Sequence, residues 1–130
     1  MRIRRFTVSP TTIADGSATA YTPSFSGYIH SIQYVKPGVA ADYAAGVDFT
    51  ITTETTGLNL YTLVNQDASA LKLPRFPTHD GIGAASLYAA GGEPVEDMLA
   101  VSRERVKIVI ANGGDTKTGT FYVTVVGGAD

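Results

Sequence analysis

A chain of 130 residues with a formal net charge of -2 is the size of one compact domain and can bury a core without staples. It has no cysteine, which excludes disulfides and thiolate metal sites, and its charge balance gives no general pull toward nucleic acid or an anionic membrane. No apolar run approaches the roughly 20 residues that span a bilayer, and residues 1–8 lack the apolar region of a signal peptide.

Period-two patterns broken by turns run along the chain. Residues 2–8 predict a first strand, with Phe6 and Val8 on one face and Ile3 and Thr7 on the other. Turn residues bracket a loop, and 17–22 alternate weakly as a second strand. Residues 23–27 predict a turn. Residues 28–35 predict a third strand whose apolar set changes face, since Ile29 and Val35 are odd while Ile32 and Tyr34 are even. A β-bulge or burial of both faces accounts for that slip.

After an Ala-rich loop at 39–46, residues 48–53 predict a strand with Phe49, Ile51 and Thr53 on one side. Thr55-Thr56-Gly57 turns the chain, and 58–64 pair back as a hairpin. A polar loop follows at 65–70. Residues 71–74 are short and extended, and Pro74 confines them to an edge or a strand end. Residues 75–92 form the least regular segment, too long for a plain connector. Within it, 84–90 supply a strand or a helical turn. Residues 95–102 fit a helix or an extended segment, and the surrounding β pattern favours the strand.

The end of the chain carries the cleanest pattern. Residues 105–112 place Val106, Ile108 and Ile110 on one face, and 119–126 do the same with Phe121, Val123 and Val125. With the glycine-rich 113–118 between them, they predict a β-hairpin. Eight to ten short strands without long 3.6-residue periodicity predict an all-β chain, a single-domain antiparallel β-sandwich or barrel over 1–130.

Reactive chemistry is sparse. His30 lies within a strand and predicts an ordinary hydrogen bond. His79-Asp80 precede Gly81, where Asp80 can accept backbone hydrogen bonds in an Asx-type turn. Two distant histidines and no cysteine do not make a structural zinc site. No serine has the Gly-x-Ser-x-Gly context, and neither glycine-rich stretch has phosphate-loop spacing. The carboxylates Glu93, Glu96 and Asp97, and Asp42 and Asp48, read as solvated loop groups. The expectation is therefore a protein that is not an enzyme, with no metal and no cofactor.

Charged residues make up only 17% of the chain, against about 25% in average globular proteins. Either the exterior contains an uncharged interface or the strands simply carry Thr and Tyr. Arg2, Arg4 and Arg5 crowd the N-terminus, and a second basic patch falls at 102–107. The N-terminal arginines suit carboxylates on a partner protein, or they are edge charges that discourage aggregation.

The stretches Gly27-Tyr-Ile-His-Ser-Ile-Gln-Tyr-Val35, Gly46-Val-Asp-Phe-Thr-Ile-Thr-Thr-Glu-Thr-Thr-Gly57, Pro74-Arg-Phe-Pro-Thr-His-Asp-Gly81 and Arg105-Val-Lys-Ile-Val-Ile-Ala-Asn-Gly-Gly114, leading into Lys117-Thr-Gly-Thr-Phe-Tyr-Val123, resemble cement or decoration proteins of tailed-bacteriophage heads. The resemblance implies a jelly-roll-like β-sandwich that binds the outside of the capsid and stabilises contacts between major capsid protein subunits. It implies a homodimer or homotrimer, made in the host bacterial cytoplasm and carried on the virion, with no nucleic acid or membrane partner. No residue motif transfers. Interface chemistry selects Arg2, Arg4, Arg5 and Phe6, with Arg75, Phe76 and His79, because arginine and aromatic residues anchor interfaces. Another virion component, of the head-completion, tail or fibre type, and a small carbohydrate-binding module are the alternatives.

Overall fold

The computed structural model describes residues 2–128. It is an all-β sandwich. The strands are β1 Ile3–Val8, β2 Ala18–Tyr21, β3 Phe25–Val35, β4 Asp48–Thr53, β5 Asn59–Leu63, β6 Ala70–Lys72, β7 Phe76–Pro77, β8 Glu96–Asp97, β9 Leu99–Glu104, β10 Val106–Ala111 and β11 Thr120–Val126. The first sheet has the order β1-β11-β3-β6, with β9 also on β3. The second has the order β2-β10-β4-β5, and β7 and β8 form a separate ribbon. On one edge of β3, β9 pairs with residues 25–29 and β6 with residues 32–34. The 95–102 segment is thus largely extended, as its β surroundings favour, and of 71–74 Leu71 and Lys72 fall in the edge strand β6, with Pro74 beyond its end.

The short β6, β7 and β8 lie in the connection from β5 to β9. Of eleven strands, the other eight order as first, eighth, third and sixth in one sheet, and second, seventh, fourth and fifth in the other. Chain neighbours among these eight mostly sit in opposite sheets. The predicted β4–β5 hairpin is an exception, pairing Phe49 with Leu63 and Ile51 with Tyr61.

That alternation overturns the predicted terminal hairpin. β10 pairs with β2 and β4, whereas β11 pairs with β1 and β3. The rows Val106-Ile108-Ile110 and Phe121-Val123-Val125 are fully buried in one core, contributed by opposite sheets. The linking loop crosses between layers and is tied down on the way. Gly113 N donates to Gly16 O at 2.9 Å, Ala44 N to Gly113 O at 3.0 Å, and Thr12 N to Lys117 O at 2.8 Å. At Gly119 a β-carbon would lie 2.6 Å from Cε2 of Tyr43 and 2.7 Å from Cε1 of Tyr34, so only glycine lets the chain pass those rings.

The centre of the core is aromatic. Phe49 of the second sheet meets Tyr34 and Phe121 of the first with ring centroids 4.7 and 5.0 Å apart, in edge-on geometry. Tyr43 comes from the Ala-rich loop and donates its hydroxyl to Pro10 O at 2.5 Å.

The face change in β3 is a bulge. Thr124 pairs with Ser31 and Val125 with Ile29, which leaves His30 as the extra residue. Ile29 before it, and Ile32 and Tyr34 after it, therefore all point into the core. The predicted turn at 23–27 shrinks, because Phe25, Ser26 and Gly27 continue β3. Phe25 is only 2% exposed and stacks on Phe6 at 5.3 Å, and that burial draws the strand back past Gly27.

Candidate functional site

The structure distributes the sequence-selected residues rather than gathering them. Arg4 and Phe6 lie on the core side of β1. Phe6 packs on Phe25, and Arg4 donates from Nη2 to Ser26 O at 2.7 Å. Arg5 projects from the opposite face, its guanidinium 4.4 Å from the ring centre of Tyr122. Arg2 is exposed just ahead of β1.

Arg75 donates from Nη1 to His30 O at 2.9 Å and to Pro74 O at 2.7 Å, and Phe76 packs against the core. Both are partly buried. Arg75 anchors the irregular segment at the bulge. His79 is exposed and its Nδ1 lies 3.0 Å from Asp80 O. Since β11 and β3 lie between β1 and the β6 edge that leads to Arg75, the two groups do not form one patch.

His30 departs from expectation. Its Nδ1 is buried without a hydrogen-bond partner among the described residues. Asp80 behaves as predicted, with Oδ1 accepting from Ile82 N and Ala84 N, both at 3.0 Å. Asp48 and Asp42, expected as solvated, have structural work. Asp48 accepts from Asn65 N and from Nδ2 of Asn112, and Asp42 accepts from Gly38 N, each at 3.0 Å.

Residues 76–97 form an arm. Residues 84–90 are neither a helix nor a full strand; they make single bridges from Ala85 to His79 and from Leu87 to Pro94. Three chain passes close on one another: Thr78 N donates to Val95 O, Val95 N to Ser86 O, and Ser86 N to Thr78 O. Little apolar surface is covered in doing so. Ile82 is 91% exposed and Tyr88 77%.

The outer face of the second sheet is uncharged along its middle. A register row crosses all four strands as Thr19, Val109, Thr50 and Thr62. Three of these are threonines with exposed side chains. At one end Arg105 lies 4.0 Å over the Tyr21 ring and makes a two-pronged ion pair with Glu54.

Sequence reasoning missed Glu104. It is only 3% exposed, and its carboxylate accepts from Thr55 N at 2.8 Å, Thr56 N at 3.3 Å and the Thr56 hydroxyl at 2.6 Å. Burial alone would raise its pKa, but the hydrogen bonds from Thr56 and Thr55 outweigh it and hold the group below its ordinary value. These bonds lock the turn between β4 and β5. Among the described residues no three His, Asp or Glu side chains group as a metal site. An open cleft of about 370 Å³ is lined by Pro10, Thr11, Ile13, Ser17, Ala18 and Thr19, none of them charged.

Comparison with family models, with curated proteins and with solved structures gives no match.

Proposed function

We propose that this chain is a structural protein of a tailed-phage head, bound to the outer surface of the capsid and stabilising contacts between major capsid protein subunits. The reading rests on the sequence resemblance to cement proteins. The observation that carries it further is the Thr19-Val109-Thr50-Thr62 row on the outer face of the second sheet. β-branched side chains are stiff, so contact with a partner orders little that was free before. The row itself is uncharged, with Lys107 and Asp48 in the rows on either side of it, and so leaves few ionic groups to desolvate at its centre. Repetition over a symmetric shell multiplies a weak contact of this kind, and binding only the assembled lattice stabilises that lattice.

The strand order supports the same reading. Eight strands ordered first-eighth-third-sixth against second-seventh-fourth-fifth are a jelly roll in our interpretation. The role is non-catalytic and needs no cofactor. Of the sequence-selected contacts, Arg2, Arg5 and His79 are exposed, while Arg4, Phe6, Arg75 and Phe76 serve the fold.

The test adds purified protein to empty, expanded phage heads. Co-sedimentation with the heads and a higher head melting temperature are expected, and Thr50→Glu with Thr62→Glu removes both. Heads that neither bind the protein at micromolar concentration nor gain stability refute the proposal.

A further inference from the structure

The arm at 76–97 is hard to explain as part of a monomer. Its named strands are two residues long, and a lone ribbon of that size is marginal in water. Ordering each backbone residue costs about 1–2 kcal/mol of conformational entropy. The arm nevertheless holds Ile82 and Tyr88 out in solvent, with Leu87 41% exposed beside them.

Its charge is one-sided. From Phe76 to Ser102 there is no lysine or arginine, while Asp80, Glu93, Glu96 and Asp97 all fall there. Asp80 and Asp97 are engaged by local backbone N–H groups. Glu93 and Glu96 are exposed and form no ion pair with any described residue.

The complementary surface belongs to the same sequence. The five strands of the first sheet contain a single carboxylate, Glu104, and it is buried. On the outer face a register row runs from Thr7 through Tyr122 and Gln33 to Leu71. Arg5, one outward row along, stacks on Tyr122, and Leu71 is exposed; Ile3 and Tyr28 are exposed on the same face in the row through Val126, four residues along β11 from Tyr122. That face is apolar, aromatic and cationic where the arm is apolar, aromatic and anionic. The arm does not cover its own body, since its tip remains in solvent.

We propose that the arm is an assembly element, and that its acidic tip docks on the outer face of the first sheet of a second copy of this chain. Glu93 and Glu96 meet Arg5, while Ile82 and Tyr88 cover Tyr122, Ile3 and Tyr28. Arm and sheet are different surfaces, so each copy both gives and receives. This inference stands apart from the capsid reading and uses neither Thr50 nor Thr62.

The experiment is sedimentation velocity of the purified full chain over a concentration series, at low and high salt. Concentration-dependent association that weakens with salt is expected. Arg5→Glu alone and Glu93→Lys with Glu96→Lys alone each yield monomer that still unfolds cooperatively and has lost the concentration dependence of its melting temperature. Mixing the two variants restores an associated species, because the reversed arm now matches the reversed face. A wild-type monomer at every concentration overturns the proposal, and so does association indifferent to both variants. Two variants that stay monomeric when mixed overturn the pairing of arm with face. An arm that protects from proteolysis only on phage heads overturns it in favour of the shell as occupant.

Discussion

Glu104 and Thr56 join the two sheets. Glu104 ends β9 in the first sheet, Thr56 turns the β4–β5 hairpin of the second, and the Thr56 hydroxyl donates to the Glu104 carboxylate at 2.6 Å. Thr53 Oγ1 lies 2.6 Å from the same Thr56 oxygen, and Leu58 N donates to Thr53 Oγ1 at 2.9 Å. The turn is therefore shaped by a carboxylate from the other layer. Removing a buried hydrogen-bonded acceptor and leaving its donors unpaired costs about 1–3 kcal/mol. Glu104→Ala is expected to lose that much in urea unfolding, with the slope unchanged. A loss within error would mean that water replaces the carboxylate.

The same group is expected to make stability sensitive to acid. The Glu104 pKa is lowered in the folded protein from its ordinary 4.5. The unfolded chain therefore binds the proton more tightly, and stability falls as pH drops below about 4.5 through the folded value. Above that window the contribution is complete and constant. Glu54 beside Arg105 and Asp15 beside Ser17 are lowered too, but both are solvent-accessible and add little. Melting temperature followed between pH 3 and 6, roughly the carboxylate range, should fall more steeply for the natural chain than for Glu104→Gln. Parallel curves would assign the acid sensitivity elsewhere.

The alkaline side has the opposite sign and a different origin. Burial pushes the Tyr34 hydroxyl up to about 12, and burial also pushes Tyr43 well above the ordinary tyrosine value. Their folded forms keep the proton more tightly than the unfolded chain does. That stability is whole below the ordinary tyrosine pKa of 10.0 and is lost as pH rises through the folded values. In an absorbance titration Tyr34 and Tyr43 should ionise only above the ordinary tyrosine value, together with unfolding. A Tyr43→Phe variant whose alkaline unfolding and titration match those of the natural chain would contradict the burial of that hydroxyl beside Phe49.

Strand identity was legible in the sequence because period two reports which residues alternate. Strand partnership was not. The rows Val106-Ile108-Ile110 and Phe121-Val123-Val125 read the same whether their strands are adjacent or face each other across a core. The bulge at His30 was visible as a change of apolar parity between Ile29 and Ile32. Glu104 hid inside a charged stretch, although its even number continues the buried parity of Val106, Ile108 and Ile110. The arm's irregularity was plain, but its three-way closure rests on single backbone bonds that leave no side-chain period. The interface anchors misled for a related reason. Arginine and phenylalanine are also what a small sheet uses to close its own edge, as Arg4 does on Ser26 O and Phe6 on Phe25.

The crossing loop supplies the sharpest test of the two-layer arrangement. A methyl group at Gly119 would stand under 3 Å from the rings of both Tyr43 and Tyr34, and those rings are buried against Phe49. Neither ring is a free end that can swing away, so the backbone must shift instead. Overpacking of this kind costs about 1–3 kcal/mol. A terminal hairpin would make the opposite prediction, since a residue just after an exposed turn tolerates alanine. Gly119→Ala is therefore expected to lower the urea midpoint clearly, while Gly38→Ala, which meets no atom within 4 Å, loses only what its positive φ demands. Pairing either variant with Tyr43→Leu separates the causes. The smaller side chain should recover part of the Gly119→Ala loss, since the Tyr34 ring still stands 2.7 Å away, and none of the Gly38→Ala loss, because only the first comes from ring contact.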